Sequence, residues 1–379
     1  MSREMKEFKT EKCSLLPMGS GLDGENLHFS INTKEALDKV ILFEHGTRKV
    51  AGYARVQEEE HFGDLYAFRV LNAAHYDYAL MAGEKYIRDE YAKAVNHYRL
   101  EDGTELETYS TYVDDFDWQD DERIFHPFED SIMYRLHVKG FTKHHSSGVQ
   151  NRGCYAGIVE KIPYLRELGV TTVELMPAYE FDEQIMSGRA RGTKNYWGYG
   201  TANYFAPKAG FSRYGKGSQI NEFKEMVREL HKNQIEVIME FHFVEGTSPH
   251  TIMDALRFWV LEYHIDGIHA NFNVAPLNMI KSDPIISMVK IISNYDTGEN
   301  MENYGHFRNK RRFAIMNDTY IVQERRFIKS DDDQVSGMME QLRRNPHSHA
   351  IINYISNHNT MSLMDLSLIH ISRAHETEA

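Results

Sequence analysis

The sequence predicts an α/β protein: a (β/α)8 TIM barrel that is incomplete and ends after strand seven, preceded by an N-terminal β-sandwich. Three observations lead to this prediction. Short aromatic and β-branched runs separated by Gly, Asn and Asp fill about the first 115 residues. From residue 131 onward, buried strands alternate with helical stripes of apolar residues. Polar side chains follow several of these later strands, at the end where such barrels carry their functional residues.

The first domain is predicted to be a small antiparallel sandwich over residues 1–115. Its clearest strands are residues 27–31, 40–43 and 65–70, which are short, rich in aromatic or β-branched side chains and bounded by turn residues. The acidic run that follows is interpreted as an exposed linker over residues 116–130.

The second domain, residues 131–365, is predicted to be the barrel. Repeated strand–helix units imply a parallel sheet covered by helices, and the number of strands favours a closed barrel over an open sheet. Helices are predicted where Ile, Leu, Val or Phe recur every three or four residues, at 158–168, 220–230 and 252–263. The predicted strands are 132–138, 170–176, 235–243, 265–272, 289–293 and 350–355.

Composition narrows the classes of partner. The chain has 379 residues and a net charge of −13, which argues against a polyanion such as nucleic acid. No window approaches the roughly 18 apolar residues that span a bilayer, so no membrane partner is expected. Two cysteines, Cys13 and Cys154, fit a reducing compartment, and the start of the chain lacks the apolar stretch of a signal peptide. We therefore expect a cytoplasmic protein.

Several segments closely resemble glycoside hydrolase family 13, the α-amylase superfamily, and within it the pullulanase, isoamylase and glycogen-debranching branch. The resemblance runs in order across residues 125–365, and the N-terminal part resembles the sandwich called carbohydrate-binding module family 48. It implies a barrel that takes an α-glucan polysaccharide or oligosaccharide and needs no cofactor. The segments that carry it are 130–142 and 169–177 for strands one and two, 195–199 for the Tyr-Trp-Gly-Tyr segment that helps line the sugar site, 258–267 for the approach to strand four, and 352–358 for strand seven.

The resemblance also indicates where three catalytic carboxylates belong. Retaining hydrolysis in this family uses a nucleophile, a general acid and a third carboxylate that stabilises the transition state. These positions correspond here to Asn271, Asn294 and Asn359. Asparagine has neither an anionic oxygen to form a glycosyl ester nor a titratable proton to donate. A shifted register of the short strand five remains the alternative for Asn294.

Other residues at the predicted mouth have two interpretations each. The aromatic side chains either stack on glucose rings or wall the top of the barrel. Glu240, Glu245 and Asp266 are the carboxylates that could replace the missing ones, although Asp266 is expected below the mouth. Glu240 and His242 share one face of a strand, but no ligand-spacing motif supports a metal, so none is expected. The expected substrate-binding residues are Tyr196, Trp197, Tyr199, Glu240, His242, His269 and His358.

The sequence therefore predicts a pseudoenzyme: a debranching-type relative that binds glycogen, starch or pullulan-like chains without hydrolysing them. Two alternatives stay open, an active α-1,6-glucosidase that uses displaced carboxylates and a non-catalytic scaffold that no longer meets sugar. Residues 366–379 do not continue the family pattern and are interpreted as an artefactual tail.

Overall fold

The structure, a computed structural model, describes residues 5–99, 105–111, 115–183, 194–215, 217–294, 312–346 and 349–359. The predicted tail, residues 366–379, lies outside this part of the chain. Within it, the predicted fold class is confirmed: a strand-rich N-terminal region precedes a curled parallel sheet of seven strands.

The N-terminal region is a sandwich of two sheets. Its strands are β1 Lys6–Phe8, β2 Thr10–Lys12, β3 Gly19–Asp23, β4 Asn26–Asn32, β5 Lys39–Glu44, β6 Val50–Arg55, β7 His61–Phe62, β8 Leu65–Val70, β9 Tyr76–Ala82, β10 Lys85–Ile87, β11 Ala94–Arg99 and β12 Glu105–Ser110. The first sheet has the strand order β1-β6-β5-β9-β12-β11 with β10 beside β9, and the second has β2-β8-β4-β3 with β7 beside β8. Aromatic rings fill the space between the sheets: Phe29 stacks on Phe68 at 5.1 Å and meets the edge of Tyr78 at 4.9 Å.

The barrel strands lie in chain order, and every neighbouring pair is parallel. They are β13 Met133–Leu136, β14 Thr172–Leu175, β17 Glu236–Phe241, β18 Gly267–Ala270, β19 Lys290–Ser293, β20 Phe313–Met316 and β21 Ala350–Ile352. Two further strands, β15 Tyr179–Phe181 and β16 Ala202–Pro207, form a separate antiparallel pair after β14. Strand seven of the prediction is β21, the last strand of this sheet.

Helices cover the outside of the sheet through the apolar stripes that predicted them. In the fourth helix, Phe223, Val227 and Leu230 are fully buried. The fifth begins at Pro249, where the missing N–H costs nothing, and buries Trp259. The helices are α1 Val138–Thr142, α2 Tyr155–Glu160, α3 Ile162–Glu167, α4 Gln219–Lys232, α5 Pro249–Glu262, α6 Leu277–Ser282, α7 Asp318–Ile328 and α8 Val335–Arg343. None of the described helices is long and apolar enough to cross a membrane.

One predicted helix is divided in two. The stripe over 158–168 predicts a single helix, whereas the structure has α2 and α3 with a break at Lys161. Pro163 explains the break, since its ring has no N–H to donate and would collide with the preceding turn of a continuous helix. The predicted end of the helical range at residue 168 is confirmed, since Gly169 has a φ of +73° and ends α3 in the left-handed region.

The acidic run is predicted to be an exposed linker, but one of its carboxylates is buried. The side chain of Asp121 is only 1% exposed and accepts hydrogen bonds from His231 at 2.9 Å and His264 at 2.7 Å. His231 also contacts Asp266, the residue just before β18, at 2.9 Å. This segment is therefore fixed to the amino end of the barrel.

The sandwich packs directly on the barrel. Tyr91, before β11, stacks on Phe205 of β16 with ring centroids 4.6 Å apart. Asn203 donates through Nδ2 to the carbonyl of Asp89 at 3.0 Å. These contacts join the sandwich to the β15–β16 pair, which leads into the candidate site.

Candidate active site

The candidate site lies at the carboxyl ends of β13, β14, β17 and β18. Strand register pairs Arg135 with Glu174, and Glu240 with His269. Carboxyl ends of parallel strands meet at one edge of the sheet, so the four side chains converge there. Residues 194–199 and the segment after β21 complete the site from above, through Tyr199 and His358.

An ionic network occupies the centre of the site. Arg135 lies between two carboxylates. Its Nη2 is bonded to Glu240, whereas its Nε lies 3.5 Å from Glu174 Oε1 and forms an ion pair without a hydrogen bond. Burial alone would raise the pKa of Glu174, but Arg135 and His269 outweigh it and lower this pKa to about 2. Burial disfavours the charged guanidinium, yet Glu174 and Glu240 together raise the pKa of Arg135. Glu174 and Glu240 are therefore both paired with Arg135.

His269 is buried in this network and does not face solvent. Its Nδ1 lies 2.6 Å from Glu174 Oε1 and its Nε2 lies 2.8 Å from Asn294 Oδ1. Both ring nitrogens therefore meet oxygen acceptors. A ligand can hydrogen-bond to His269 only if one of these bonds is broken.

Asn271 is held by the neighbouring backbone rather than by the network. Its Oδ1 accepts from the N–H of Phe243 at 3.0 Å, and its Nδ2 donates to the carbonyl of Phe243 at 2.9 Å. This two-way bond requires an amide, because a carboxylate has no hydrogen to donate. The residue predicted to occupy the nucleophile position therefore fits its surroundings as asparagine.

The other two amide positions differ from each other in exposure. Asn294 directly follows β19 and is half-buried against His269. The pairing of β18 with β19 continues through Ala270 and Ser293, which brings Asn294 alongside Asn271. Asn359 is exposed, and its backbone N–H donates to Asn357 Oδ1 at 3.0 Å.

Tyr199 connects Glu240 to His358. Its hydroxyl lies 3.1 Å from each oxygen of Glu240 and 2.9 Å from Nε2 of His358. Burial, aided by the charge of Glu240, raises the pKa of Tyr199, so the phenol stays protonated. Burial and the charge of Arg135 lower the pKa of His358. The ring of His242 meets that of Tyr199 at 5.0 Å, and burial lowers its pKa as well.

Tyr196 and Trp197 form an exposed aromatic surface beside the network. They are 44% and 37% exposed and meet edge to face at 5.1 Å. His137 supports them from below: its ring stacks on Tyr196 at 4.4 Å, and its Nε2 lies 2.8 Å from the Tyr196 carbonyl. Burial lowers the pKa of His137 to about 4, so the supporting ring is neutral at pH 7. Trp197 also meets the ring of His358 at 5.3 Å.

The structure brings together most of the residues predicted from sequence and adds three. Sequence reasoning does not assign roles to Arg135, Glu174 or His137, although each lies in a segment used for the resemblance. Their signal is the presence of ionisable side chains within otherwise apolar strands. Of the proposed substitute carboxylates, Glu245 is exposed, whereas Asp266 is buried at the amino end of β18. Among the described residues, no group of three or more His, Cys, Asp or Glu side chains is arranged to hold a metal ion.

Sequence comparisons find relatives for this chain. The family described as "Alpha amylase, catalytic domain" matches residues 136–254. Isoamylase 1, chloroplastic, from Oryza sativa subsp. japonica is 31% identical over 349 residues, which cover 68% of this chain and 43% of the relative. The glycogen operon protein GlgX homolog of Mycobacterium tuberculosis (strain ATCC 25618 / H37Rv) is 30% identical over 329 residues, covering 66% and 44%. The chain thus spans less than half the length of these relatives.

Solved structures show the same fold. A pullulanase from Paenibacillus barengoltzii, in complex with maltohexaose and α-cyclodextrin, has a TM-score of 0.71 at 18% identity, covering 93% of this chain and 68% of the other. The pullulanase SAP of group B Streptococcus, in complex with maltotetraose, has a TM-score of 0.72 at 17% identity, covering 93% and 58%. At these identities the likeness establishes architecture rather than activity.

Proposed function

Because this chain belongs to the α-amylase family of glycoside hydrolases, in the branch that contains isoamylases and pullulanases, we propose that it binds α-glucan chains without hydrolysing them. The ligand class is a glycogen-, starch- or pullulan-like α-glucan. The observation that carries the proposal is the asparagine at each of the three positions that the family resemblance assigns to carboxylates, Asn271, Asn294 and Asn359.

The chemistry explains why these amides matter. A retaining mechanism needs one carboxylate to attack the anomeric carbon and another to protonate the leaving oxygen, about 5 Å apart. Asn271 can do neither, and its amide is already bonded in both directions to Phe243. Asn294 offers an amide oxygen to His269 and has no acidic proton.

The remaining carboxylates are poorly suited to replace the missing ones. Glu174, with a pKa of about 2, holds no proton at neutral pH and is buried against Arg135 and His269. Glu240 is bonded by Arg135 and Tyr199. Asp266 lies at the opposite end of its strand, where it accepts from the N–H of Val237 at 2.8 Å.

Sugar binding is supported by the exposed aromatic surface. The C–H faces of glucose rings pack on aromatic rings, and Tyr196 and Trp197 present such rings beside the hydroxyl of Tyr199 and the rings of two histidines, His242 and His358. Those polar groups can bond sugar hydroxyls. The maltohexaose and maltotetraose held by the two pullulanases indicate the class of ligand to test.

Titration calorimetry with maltohexaose tests the proposal. We expect binding by the wild-type protein and a loss of roughly tenfold or more in Trp197→Ala, since stacking aromatics dominate such contacts. Phe62→Ala is the control, because Phe62 is 89% exposed on the sandwich, away from the site. Equal binding by wild type and Trp197→Ala would exclude the aromatic surface as the sugar site, and no binding would favour the scaffold interpretation.

Release of reducing ends from pullulan discriminates the active alternative. The proposal predicts no release above a protein-free blank. Hydrolysis that is abolished by Glu240→Gln would overturn the proposal and would identify Glu240 as a displaced catalytic carboxylate. Glu245→Gln is the companion variant, since the side chain of Glu245 is exposed.

We also propose a cytoplasmic location. Cys13 and Cys154 are free thiols and do not form a disulfide with each other. Free thiols are typical of proteins in a reducing compartment. Fractionation of the source cells, with thiol labelling of the native protein, tests this location.

A further inference from the structure

The aromatic surface is fixed to the β15–β16 pair beneath it. Asn195 donates through its backbone N–H to the carbonyl of Glu183 at 2.9 Å and through Nδ2 to that of Asp182 at 3.1 Å. Gly198 has a φ of +85°, and a Cβ there would lie 2.8 Å from the ring of Phe181. The placement of Tyr196 and Trp197 thus depends on the position of residues 181–183.

Lys208 fixes those residues in turn. Its Nζ lies 2.5 Å from Glu180 Oε1, 3.1 Å from the carbonyl of Phe181 and 3.2 Å from Glu183 Oε1. The second carboxylate oxygen of Glu180 accepts from the N–H of Ala209 at 2.8 Å. Both Lys208 and Glu180 are buried, and their contacts form a joint between β15 and the end of β16.

A histidine of the sandwich completes this joint from outside the barrel. His97, on β11, lies with Nε2 3.2 Å from Glu180 Oε1 and with Nδ1 3.9 Å from Glu107 of β12. Arg88 contacts the same Glu107 oxygen at 3.2 Å. Burial and, to a smaller degree, the charge of Lys208 lower the pKa of His97. The hydrogen bond to Glu180 and the charges of Glu180 and Glu107 outweigh them, so the pKa is raised.

We infer that His97 of the sandwich is a positioning residue for the glucan-binding aromatic surface of the barrel, acting through Glu180 and the β15–β16 pair. The inference rests on the proposed function only in taking the ligand to be a glucan. The coupling between His97 and the aromatic surface does not depend on any ligand. It gives the sandwich a defined role, because the edge strand β11 sets the geometry of Tyr196 and Trp197. Loss of the positive charge on His97 loosens that geometry.

Fluorine NMR of 5-fluorotryptophan-labelled protein tests the coupling without any sugar. The chain has three tryptophans, Trp118, Trp197 and Trp259, so Trp197→Phe identifies the resonance of the aromatic surface and the other two serve as internal controls. His97→Ala is expected to shift or broaden the Trp197 resonance and to leave the other two in place. His75→Ala is the matched control, since that sandwich histidine is exposed and pairs with Glu25.

A pH titration separates positioning from general destabilisation. The folded pKa of His97 is raised above 6.5, so its charged contact is complete below pH 6.5 and is lost as pH rises through the folded value. We expect the Trp197 resonance of the wild type to titrate above pH 6.5. The two histidines that touch the aromatic surface, His137 and His358, have lowered pKa values and titrate below that range. His97→Gln keeps a neutral donor and should abolish the titration while preserving the fold.

Glycogen retention then connects the coupling to binding. We expect His97→Ala to weaken retention several-fold, with His97→Gln closer to wild type and His75→Ala unchanged. A Trp197 resonance that is unmoved in both His97 variants would overturn the inference. A moved resonance in a protein that binds no glycogen would retain the coupling and overturn only the proposed function.

Discussion

At the scale of single residues, Asn271, which we propose stands in place of the nucleophile, also has a structural role. Its two bonds to Phe243 join the ends of β17 and β18. A carboxylate of the same size would repel the Phe243 carbonyl and leave it unpaired.

Asn271→Asp should therefore destabilise the protein by about 1–3 kcal/mol and should not restore hydrolysis, because Asn294 and Asn359 remain amides. Denaturant unfolding measures the first effect and pullulan reducing ends the second. Asn273→Asp is the control, since Asn273 is exposed two residues away. An Asn271→Asp protein as stable as wild type would show that the amide bonds contribute little.

Arg135 should prove essential to the fold because it compensates two buried carboxylates. Arg135→Met leaves Glu174 and Glu240 without their cation, and removing one partner of a buried pair costs about 3–5 kcal/mol. Arg69→Met is a comparison, because Arg69 pairs with Glu11 and Asp23 at the surface. Equal loss of stability in the two variants, measured by urea unfolding, would contradict the importance given to the network.

Acid should weaken the same network. The folded pKa of Glu174 is lowered from 4.5 to about 2, so its contribution is present above pH 4.5 and is lost as pH falls toward 2. That difference corresponds to about 3 kcal/mol. Urea unfolding between pH 6 and pH 3 should show more than half of this loss in wild type, and Glu174→Gln should flatten the curve.

The sequence predicts the positions of some residues of the site but not of others, and the difference has a physical cause. Glu240 and His358 lie at the carboxyl ends of predicted strands, and Tyr199 belongs to a recognisable segment. The positions of these three residues could therefore be predicted. Arg135 and Glu174 meet across two parallel strands that are well separated in sequence, so neither segment alone shows the contact.

At the scale of elements, runs of apolar residues predict where strands and helices occur better than where they end. Strand β13 ends at Leu136 because Val138 begins α1, although the apolar run continues. Strand β20, Phe313–Met316, is absent from the predicted strands. Pro163 marks the helix break in the sequence, but the apolar periodicity continues across it.

The segment before the barrel is an element whose stability should depend on pH. Burial disfavours the charged ring, but hydrogen bonds to Asp121 and Asp266 raise the pKa of His231 to about 9. This stabilisation is complete below pH 6.5 and is lost as pH rises through 9, a difference of about 3 kcal/mol. The thermal unfolding temperature of wild type should fall between pH 7 and pH 10, whereas that of His231→Gln should change less. A wild-type unfolding temperature that does not change with pH would contradict the charged contacts of His231 with Asp121 and Asp266.

At the scale of the whole molecule, a continuous series of contacts runs from His97 of the sandwich to the exposed aromatic surface of the barrel. The order of domains is predictable from the change in pattern near residue 115, because alternation and helical stripes differ in period. The path through His97, Glu180 and Lys208 is not, since these residues are far apart in sequence and meet only on folding. Under the proposed function the aromatic surface binds the glucan, while the carboxylates of Glu174 and Glu240 serve the ion pairs with Arg135.

Native electrophoresis of the protein through a gel containing glycogen, followed by iodine staining, examines binding and hydrolysis in a single experiment. We expect retarded migration with no cleared zone, which is binding without hydrolysis. A cleared zone around the band would refute the pseudoenzyme and would mean that a carboxylate other than those lost, beginning with Glu240, performs the chemistry.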